Sequence, residues 1–454
     1  MNDIPKLSAE IRRDPVSIGV EAYVSEDYAR AEADKLWSKV WLQAGRAEDI
    51  PEVGNYLTYD VMDDSVLIVR TAPDTIKAYA NVCSHRGRRL VDTPEGARNA
   101  RGSQPKFVCG FHAWTYDLEG RCTALAERKD WQGTLNDEAR TSLGNIAVDT
   151  WGGWIWINLD PECEPLRDYL EPVASMLDPF EMEKMRYKWR KWAIMDCNWK
   201  VFMEAFNETY HVPGTHPEFM EFGAFTGFGN QHGRHSCMGY DQQGDSKETQ
   251  AKMRLGVGGD PRKATARMQQ FTIDTVDAVT TQTLVDAANR LVDELPEDTP
   301  GEEVFRHWIA SAKADDAARG VEWPEIDPEH VAAAVSAWQV FPNFQIGHAL
   351  THALCYAARP YGSDPDKCII DAFALERFPE GEEPKTDWLK CEPTEEDFGP
   401  VLIQDFSNVA AVQQGMKNRR FRGCLPNPKA EGAVISLHRN LAEFMGTGKP
   451  EPLK

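Results

Sequence analysis

Two short pairs of metal-binding side chains, Cys83-Ser84-His85 and Cys109-Gly110-Phe111-His112, constrain this chain more than anything else in it. Two thiolates and two neutral imidazoles are the donor set of a mixed-ligand [2Fe–2S] cluster. In such a cluster the cysteines hold one iron and the histidines the other, and imidazole in place of thiolate raises the reduction potential. Cys83 and Cys109 are therefore expected on one iron, His85 and His112 on the other. Gly87 and Gly110 let the backbone bend tightly around such a group, and backbone N–H groups can face its negative charge. The same donors can close a tetrahedral zinc site, although the spacing matches the usual zinc patterns poorly. The run that follows, Trp114-Thr115-Tyr116-Asp117-Leu118-Glu119-Gly120, reads as strand and turn. Electron transfer is the expectation, with structural zinc as its rival.

About a hundred residues later, Asn198-Trp199-Lys200 opens an apolar helical stretch that runs into Glu208-Thr209-Tyr210-His211-Val212-Pro213-Gly214-Thr215-His216. A helix would set Glu208 and His211 on one face, and Pro213 and Gly214 would end it and swing His216 back toward the same point. Two imidazoles and one distant carboxylate make the facial triad of a mononuclear Fe(II) oxygenase, with positions left open for dioxygen. Alone, a pair of histidines five residues apart is a weak signal. Its weight comes from standing behind the Cys/His pairs.

Taken together, these segments resemble the alpha, or oxygenase, subunit of Rieske non-haem iron aromatic-ring-hydroxylating oxygenases, from about Trp37 to Leu441. Further markers are Gly152-Gly153-Trp154-Ile155-Trp156-Ile157-Asn158 and Glu204-Ala205-Phe206. The resemblance implies an α+β fold. Residues 1–39 would form a helical segment on the catalytic domain, and residues 40–161 a β-rich Rieske [2Fe–2S] domain. Residues 165–454 would form a catalytic helix-grip domain (START/Bet v1-like) with an antiparallel sheet and a helical insertion at about 226–335. By the same resemblance Cys83, His85, Cys109 and His112 bind the cluster, while His211 and His216 hold the mononuclear Fe(II). Asp405, in Ile403-Gln404-Asp405-Phe406-Ser407-Asn408, matches the third ligand ahead of a helix, and Asp371 is the runner-up. Electrons would come from NAD(P)H through a separate reductase, with or without a ferredoxin. The assembly would be a homotrimer or an α3β3 complex, in which Glu208 links an iron histidine to the neighbouring subunit's cluster. Such heterologous contacts must close into a ring or form filaments. The expected activity is hydroxylation of a small aromatic substrate. The alternative is oxidative demethylation of a quaternary amine or aryl methyl ether, because some members with glutamate at the Glu208 position act on such amines. Most members carry aspartate there, and an asparagine is commoner at the position of Ala205.

Composition agrees with a large enzyme. The chain has 454 residues, 42% of them apolar, enough for two or three domains. A net charge of −22 argues against nucleic acid or an anionic membrane as partner. No apolar run is long enough to span a bilayer, and the first residues lack a basic-then-apolar signal, so a cytoplasmic location is expected. The ten cysteines, without a disulfide-like framework, read as reduced thiols. Arg86, Arg88 and Arg89 either dock an acidic ferredoxin or neutralise the cluster. No nucleotide-binding glycine motif appears, in keeping with a separate reductase.

A substrate pocket is expected between the sheet and the iron helix, with Phe202, Phe206, Met220, Phe222, Phe225, Val340, Phe344 and His352 as candidates. His348 and His352, four apart on one expected strand, would share a face. The polar run Thr93 to Gln104 reads as a surface loop, and Val279 to Leu295 as an amphipathic helix.

Overall fold

The computed structural model describes residues 13–135, 138–222, 227–240 and 259–453, so Phe225 lies outside the described residues. The chain divides into two compact units, Arg30–Tyr169 on the one hand and Met1–Ala29 with Leu170–Lys454 on the other.

The first unit is built on a seven-stranded antiparallel sheet in the order Leu42–Arg46, Trp154–Asn158, Asn145–Trp151, Thr75–Ala80, Asp64–Ala72, Asn55–Val61 and Arg101–Ser103. Asn145–Trp151 and Trp154–Asn158 are joined by Gly152 and Gly153, both at positive φ (61° and 81°). That two-residue turn matches the twist of its flanking strands and is open to glycine. The apolar run of Trp154–Asn158 is buried at every position. Arg101–Ser103 corrects one expectation: the end of the presumed surface loop pairs with Asn55–Leu57 as an edge strand. A smaller sheet, Phe107–Val108, Thr115–Tyr116 and Cys122–Ala124, carries the second Cys/His loop. Leu67, Val69, Tyr79, Phe107, Trp114, Tyr116 and Leu143 form one apolar cluster around Cys83 and Cys109.

In the second unit an eight-stranded sheet runs Gly227–His232, His235–Tyr240, Ala337–Val340, Phe344–His348, His352–Tyr361, Asp364–Glu376, Arg186–Met195 and Leu389–Lys390. All neighbours are antiparallel except the last pair. The segment expected as a helical insertion thus begins as a hairpin of the main sheet. Its described helices are Pro261–Thr275, Gln282–Glu294, Gly301–Ala318 and Pro328–Ala334. Thr281 caps the second of these, accepting from the Leu284 N–H at 3.3 Å.

Helix Trp199–Phe206 lies on one face of the sheet, where Phe206 stacks on Tyr356 at 4.1 Å between ring centroids. Asn198 starts this helix: its side chain accepts from Lys200 N at 3.1 Å and donates to the carbonyls of Tyr23 and Pro365. Helix Gly432–Met445 packs on the terminal hairpin at a glycine crossing. A Cβ on Gly229 would come within 2.7 Å of the Ala433 nitrogen, and one on Gly432 within 2.1 Å of the Gly229 oxygen. No described helix is long and apolar enough to cross a membrane.

His348 and His352 do not share a strand or a face. His348 ends one strand and pairs with Ala353, next to His352 on the following strand, so the two rings project from opposite sides of the sheet. The ring nitrogens of His348 are closed off from solvent and His352 is buried, and burial pushes each down from 6.5 to about 4 against weak support from the backbone at Ala334 and Val279 respectively. The unfolded chain therefore takes up protons first as pH falls below 6.5, and stability is lost down to about pH 4 at roughly 1.4 kcal/mol per pH unit for each group. Replacing His348 by Gln is expected to shrink the stability difference between pH 6.5 and pH 5 by about 2 kcal/mol in chemical denaturation. An unchanged pH dependence would place the acid lability elsewhere.

Candidate metal centres

After Phe206 the chain leaves the helix, and Glu208 through His211 form a bend ahead of the single helical turn Val212–Thr215. Glu208 and His211 therefore do not share a helix, and Pro213 and Gly214 sit inside the short turn instead of ending a long one. Proline is well tolerated in a first turn, where its missing N–H is not needed. The bend is organised by the Glu208 carboxylate, which accepts the backbone N–H groups of Tyr210 and His211 and lies 2.7 Å from His211 Nδ1. That contact places the Nδ1 proton between His211 and Glu208 and turns Nε2 the other way.

His216 is fixed in the same manner by Gln404, whose Oε1 lies 2.6 Å from His216 Nδ1. The two Nε2 atoms then face one carboxylate: Asp405 Oδ1 is 3.0 Å from His216 Nε2 and 3.5 Å from His211 Nε2. Burial opposes protonation of both rings, but Glu208 for His211 and Asp405 for His216 outweigh it and hold each ring's pKa above its ordinary value. Among the described residues, His211, His216 and Asp405 are the one set of three such side chains whose donor atoms lie within 4.8 Å of one another. Asp405 does not precede a helix, as expected, but lies within one, Glu395–Met416, beyond a break at Gly399 (φ 80°) and Pro400. Asp371 is ion-paired with Arg359 at 3.0 Å in the sheet and is spoken for.

In the other unit each Cys/His pair sits in a closed loop. Cys83 N–H donates to Arg88 O at 2.8 Å and Cys109 N–H to Trp114 O at 2.8 Å, with Gly87 and Ala113 at positive φ. Both cysteines are buried free thiols. Burial resists ionisation of Cys109, yet the backbone N–H groups of Phe111 and His112, with Cys83, bring its thiol below the ordinary value. The rings of His85 and His112 stand 4.6 Å apart edge to face, and His85 stacks on Trp114. Tyr116 Oη lies 3.2 Å from Cys83 Sγ and accepts from Ser84 N–H. Arg88 is paired with Asp92 and Arg89 with Asp60, which leaves Arg86, lying over Phe111 at 5.4 Å, as the arginine without a carboxylate among these contacts.

The sequence matches the model of the ring-hydroxylating alpha subunit catalytic domain over residues 180–447, more than half of the chain, and that of the Rieske [2Fe–2S] domain over residues 40–135. The chain belongs to the ring-hydroxylating alpha subunit family of Rieske oxygenases.

Curated relatives of this Rieske oxygenase subunit include the glycine betaine monooxygenase oxygenase subunit of Chromohalobacter salexigens, 33% identical over 42% of this chain and 40% of that one. Another is the carnitine monooxygenase oxygenase subunit of Escherichia coli, 24% identical over 45% and 53% respectively. The matches thus span about half or less of the length of these relatives. Among solved structures, a quaternary ammonium Rieske monooxygenase in complex with L-carnitine superposes with a TM-score of 0.62 at 16% identity, covering 96% of this chain and 97% of that one. Naphthalene 1,2-dioxygenase with indole bound gives 0.63 at 18%, covering 96% and 93%. These likenesses establish the two-part α+β fold.

The family carries a Rieske [2Fe–2S] cluster and a mononuclear iron, and the residues present suit both. No three of Cys83, His85, Cys109 and His112 converge within 4.8 Å, whereas the donors around one tetrahedral zinc stand about 3.3–3.8 Å apart. His112 Nδ1 is buried with no hydrogen-bond partner, a costly state for a ring nitrogen and a natural one for a ligand atom. The convergent Nε2 and Oδ1 atoms of the second unit have the donor types of a ferrous facial triad.

A cavity of about 390 Å³ reaches this second set. It is bounded by His211, Asp405, Glu204, Glu208 and Glu431 and walled by aliphatic groups such as Val201, Val409, Val412 and Met416. Of the six aromatic and histidine candidates for the pocket, the five that are described do not line it. Phe202 and Phe206 occupy the opposite side of their helix, against Phe406 and Tyr356. Phe222 is buried against Phe271. Phe344 pairs with Ala357 one position along from Tyr356, so it projects from the far face of the sheet and packs on Phe373. His352 lies at the end of its strand near Lys188 and Asp316. Sequence reasoning missed Gln404 and Tyr116, both of which stand inside motifs it singled out.

Proposed function

We propose that this chain is the terminal oxygenase of a system that oxidatively demethylates a small quaternary ammonium compound. The observation that carries the reading is the convergence of His211, His216 and Asp405 on one point at the edge of an aliphatic cavity rimmed by three carboxylates. In this reading Cys83, His85, Cys109 and His112 hold the [2Fe–2S] cluster, and His211, His216 and Asp405 hold Fe(II). When bound, the two groups supply stored electrons and dioxygen activation. The chain's own contribution is to hold the proton on Nδ1 of each histidine, through Glu208 and Gln404, so that both Nε2 lone pairs face the metal. Electrons come from NAD(P)H through a separate reductase, with or without a ferredoxin, to a ring-shaped oligomer in the cytoplasm. The overall change balances as R₃N⁺–CH₃ + O₂ + 2e⁻ + 2H⁺ giving R₃N⁺–CH₂OH + H₂O, after which the carbinol collapses to R₃N, formaldehyde and a proton.

Demethylation is preferred over aromatic hydroxylation on three grounds. Glycine betaine and carnitine monooxygenase subunits are among the relatives, glutamate stands at position 208, and the carboxyl groups of Glu204 and Glu208 at the rim favour a cation, with Glu431 pushed by burial up to about 7 and so only partly charged at neutral pH. Among the described residues the cavity wall carries no Phe, Tyr or Trp, so the acidic rim is what this reading rests on. Reconstituted holoenzyme with reductase, NADH and a panel of trimethylammonium compounds is expected to release formaldehyde in step with NADH and dioxygen consumed. Ring hydroxylation of indole or naphthalene without any formaldehyde from the panel would reverse the choice.

A further inference from the structure

Three helices far apart in the chain meet at one carboxylate. Glu204, on helix Trp199–Phe206, lines the cavity together with His211 and Asp405. Behind it stand Tyr23, from the short helix Glu21–Val24, and His438, from helix Gly432–Met445. His438 Nε2 is 2.7 Å from Glu204 Oε1, and the Tyr23 hydroxyl donates to Glu204 Oε2 at 3.1 Å. Tyr23 Oη and His438 Nε2 are themselves 2.8 Å apart, which closes a triangle. Tyr23 and His438 are buried, and neither lines the cavity.

Donor counting fixes the sense of these contacts. A carboxylate offers acceptors only, so the ring nitrogen facing Oε1 is the donor, and its N–H is shared with Tyr23 Oη. Burial first, and then Glu204 and Cys424, push the Tyr23 phenol well above its ordinary value, so its proton stays in place for the second bond. Glu204 is thus gripped at both oxygens from the protein side of the cavity wall. Packing does not require this arrangement, since apolar side chains of like volume can join helices as firmly as a buried polar network. The other two carboxyl groups of the rim are placed differently. Glu208 is turned into the bend, onto His211 and the N–H groups of Tyr210 and His211. Glu431 accepts one backbone N–H, from Asn427, and burial holds it up at about 7.

We propose that Glu204 is the counter-charge of the substrate's quaternary nitrogen, and that Tyr23 and His438, which do not touch the cavity, are positioning residues that aim it there. The assignment rests on the demethylase reading and deepens it. The nitrogen stands one bond from the methyl that reacts, so its counter-charge must border the space that reaches the metal set. Glu204 does so, in a cavity of about 390 Å³ that has room for one small molecule. A quaternary nitrogen has no N–H to donate, so it needs a charge beside it and not an open lone pair. A carboxylate engaged at both oxygens meets that need, and it serves a primary ammonium ion, which seeks acceptors, less well. Val201, Val409 and Val434 supply aliphatic surface for the methyl groups, and attraction between charges is strongest where water is excluded.

The test is calorimetric titration of holoenzyme with two probes of one shape, choline and its neutral carbon isostere 3,3-dimethylbutan-1-ol. The native protein is expected to favour choline. Glu204→Gln, which keeps the size and loses the charge, is expected to cut that preference about tenfold, and Tyr23→Phe, which keeps the ring and loses one donor, about threefold. Glu431→Gln is expected to cut it less than Glu204→Gln does. Iron and sulfide content verifies that each variant is folded; if Glu204→Gln does not pass, Tyr23→Phe carries the test. A merely structural role for these residues would weaken both probes alike and leave their ratio unmoved. A folded Glu204→Gln or Tyr23→Phe protein that keeps the full preference, or a larger loss in Glu431→Gln than in Glu204→Gln, would overturn the assignment and leave the demethylase reading standing. Failure of the native protein to bind choline would remove the reading and the assignment together.

Discussion

Replacing Asp405 by alanine is expected to empty the mononuclear site and abolish turnover while leaving the cluster's visible absorption unchanged. The expectation follows from how the three donors are held. His211 and His216 are each oriented from behind, by Glu208 and Gln404, so their Nε2 atoms keep their aim without the carboxylate. Asp405 is the only anion in the set, and it is the atom both rings face. Without it two neutral imidazoles remain, and removing even an outer partner of a metal ligand costs about 10–100-fold in affinity. Loss of the direct anionic ligand is expected to exceed that range, taking mononuclear iron below about a tenth of an atom per chain. The cluster donors lie in the other compact unit, each loop closed by its own backbone hydrogen bonds. Iron and sulfide analysis should therefore give two irons and two sulfides where the native protein gives three irons and two sulfides. A variant that retains the third iron would show that Asp405 is not a ligand, and Asp405→Asn, which keeps the oxygen and loses the charge, would then be silent as well.

The parts of this molecule that were legible in its sequence are those whose chemistry depends on residue type at short spacing. Cys83-x-His85 and Cys109-x-x-His112 announce a metal cluster because few other arrangements bring two thiols and two imidazoles into adjacent loops. Trp154-Ile155-Trp156-Ile157-Asn158 announces a strand buried on both faces. What escaped was set by tertiary context. Gly227–His232 and His235–Tyr240 contain three glycines and two histidines, poor strand formers by propensity, and pair only because the sheet and helix Gly432–Met445 receive them. The bend from Asn207 to His211 escaped because the helical period continues through it; the Glu208 carboxylate captures two backbone N–H groups and ends the helix early. The aromatic candidates fall outside the cavity at His211 and Asp405 for a related reason. Helical spacing shows that Phe202 and Phe206 share a side, and that Val201, Glu204, Ala205 and Glu208 share another, but not which side meets the sheet and which the cavity. Aromatic rings went to the sheet, where they bury more area, and the carboxylates went to the cavity. Gln404 was missed since nothing distinguishes a glutamine beside an aspartate until a histidine is folded against it.

Substitution of Glu208 by glutamine is expected to leave the cluster intact and the mononuclear iron largely in place, yet to slow single-turnover product formation by about 10–100-fold. The carboxylate here is an acceptor three times over, from His211 Nδ1, from the His211 N–H and from the Tyr210 N–H. Glutamine has one acceptor oxygen and one NH₂ group. If its oxygen faces His211 Nδ1, the NH₂ is pressed against two backbone donors; if it faces the backbone, the NH₂ confronts the ring nitrogen that should hold a proton. Either way the orientation of His211 is compromised and the negative charge behind it is lost, while the three convergent donors remain. Glu208→Asp separates the two causes. It preserves the charge and the acceptors but is shorter by one methylene, so it is expected to recover a substantial part of the rate if charge behind His211 is what matters, and little if reach is. The same comparison bears on assembly. In the proposed ring, where Glu208 also meets a neighbouring subunit's cluster histidine, reduction of the cluster by dithionite should be normal in all three proteins, and only the subsequent single turnover should differ. A glutamine variant that forms product at the native rate would remove Glu208 from both roles and leave the bend around His211 as its whole contribution.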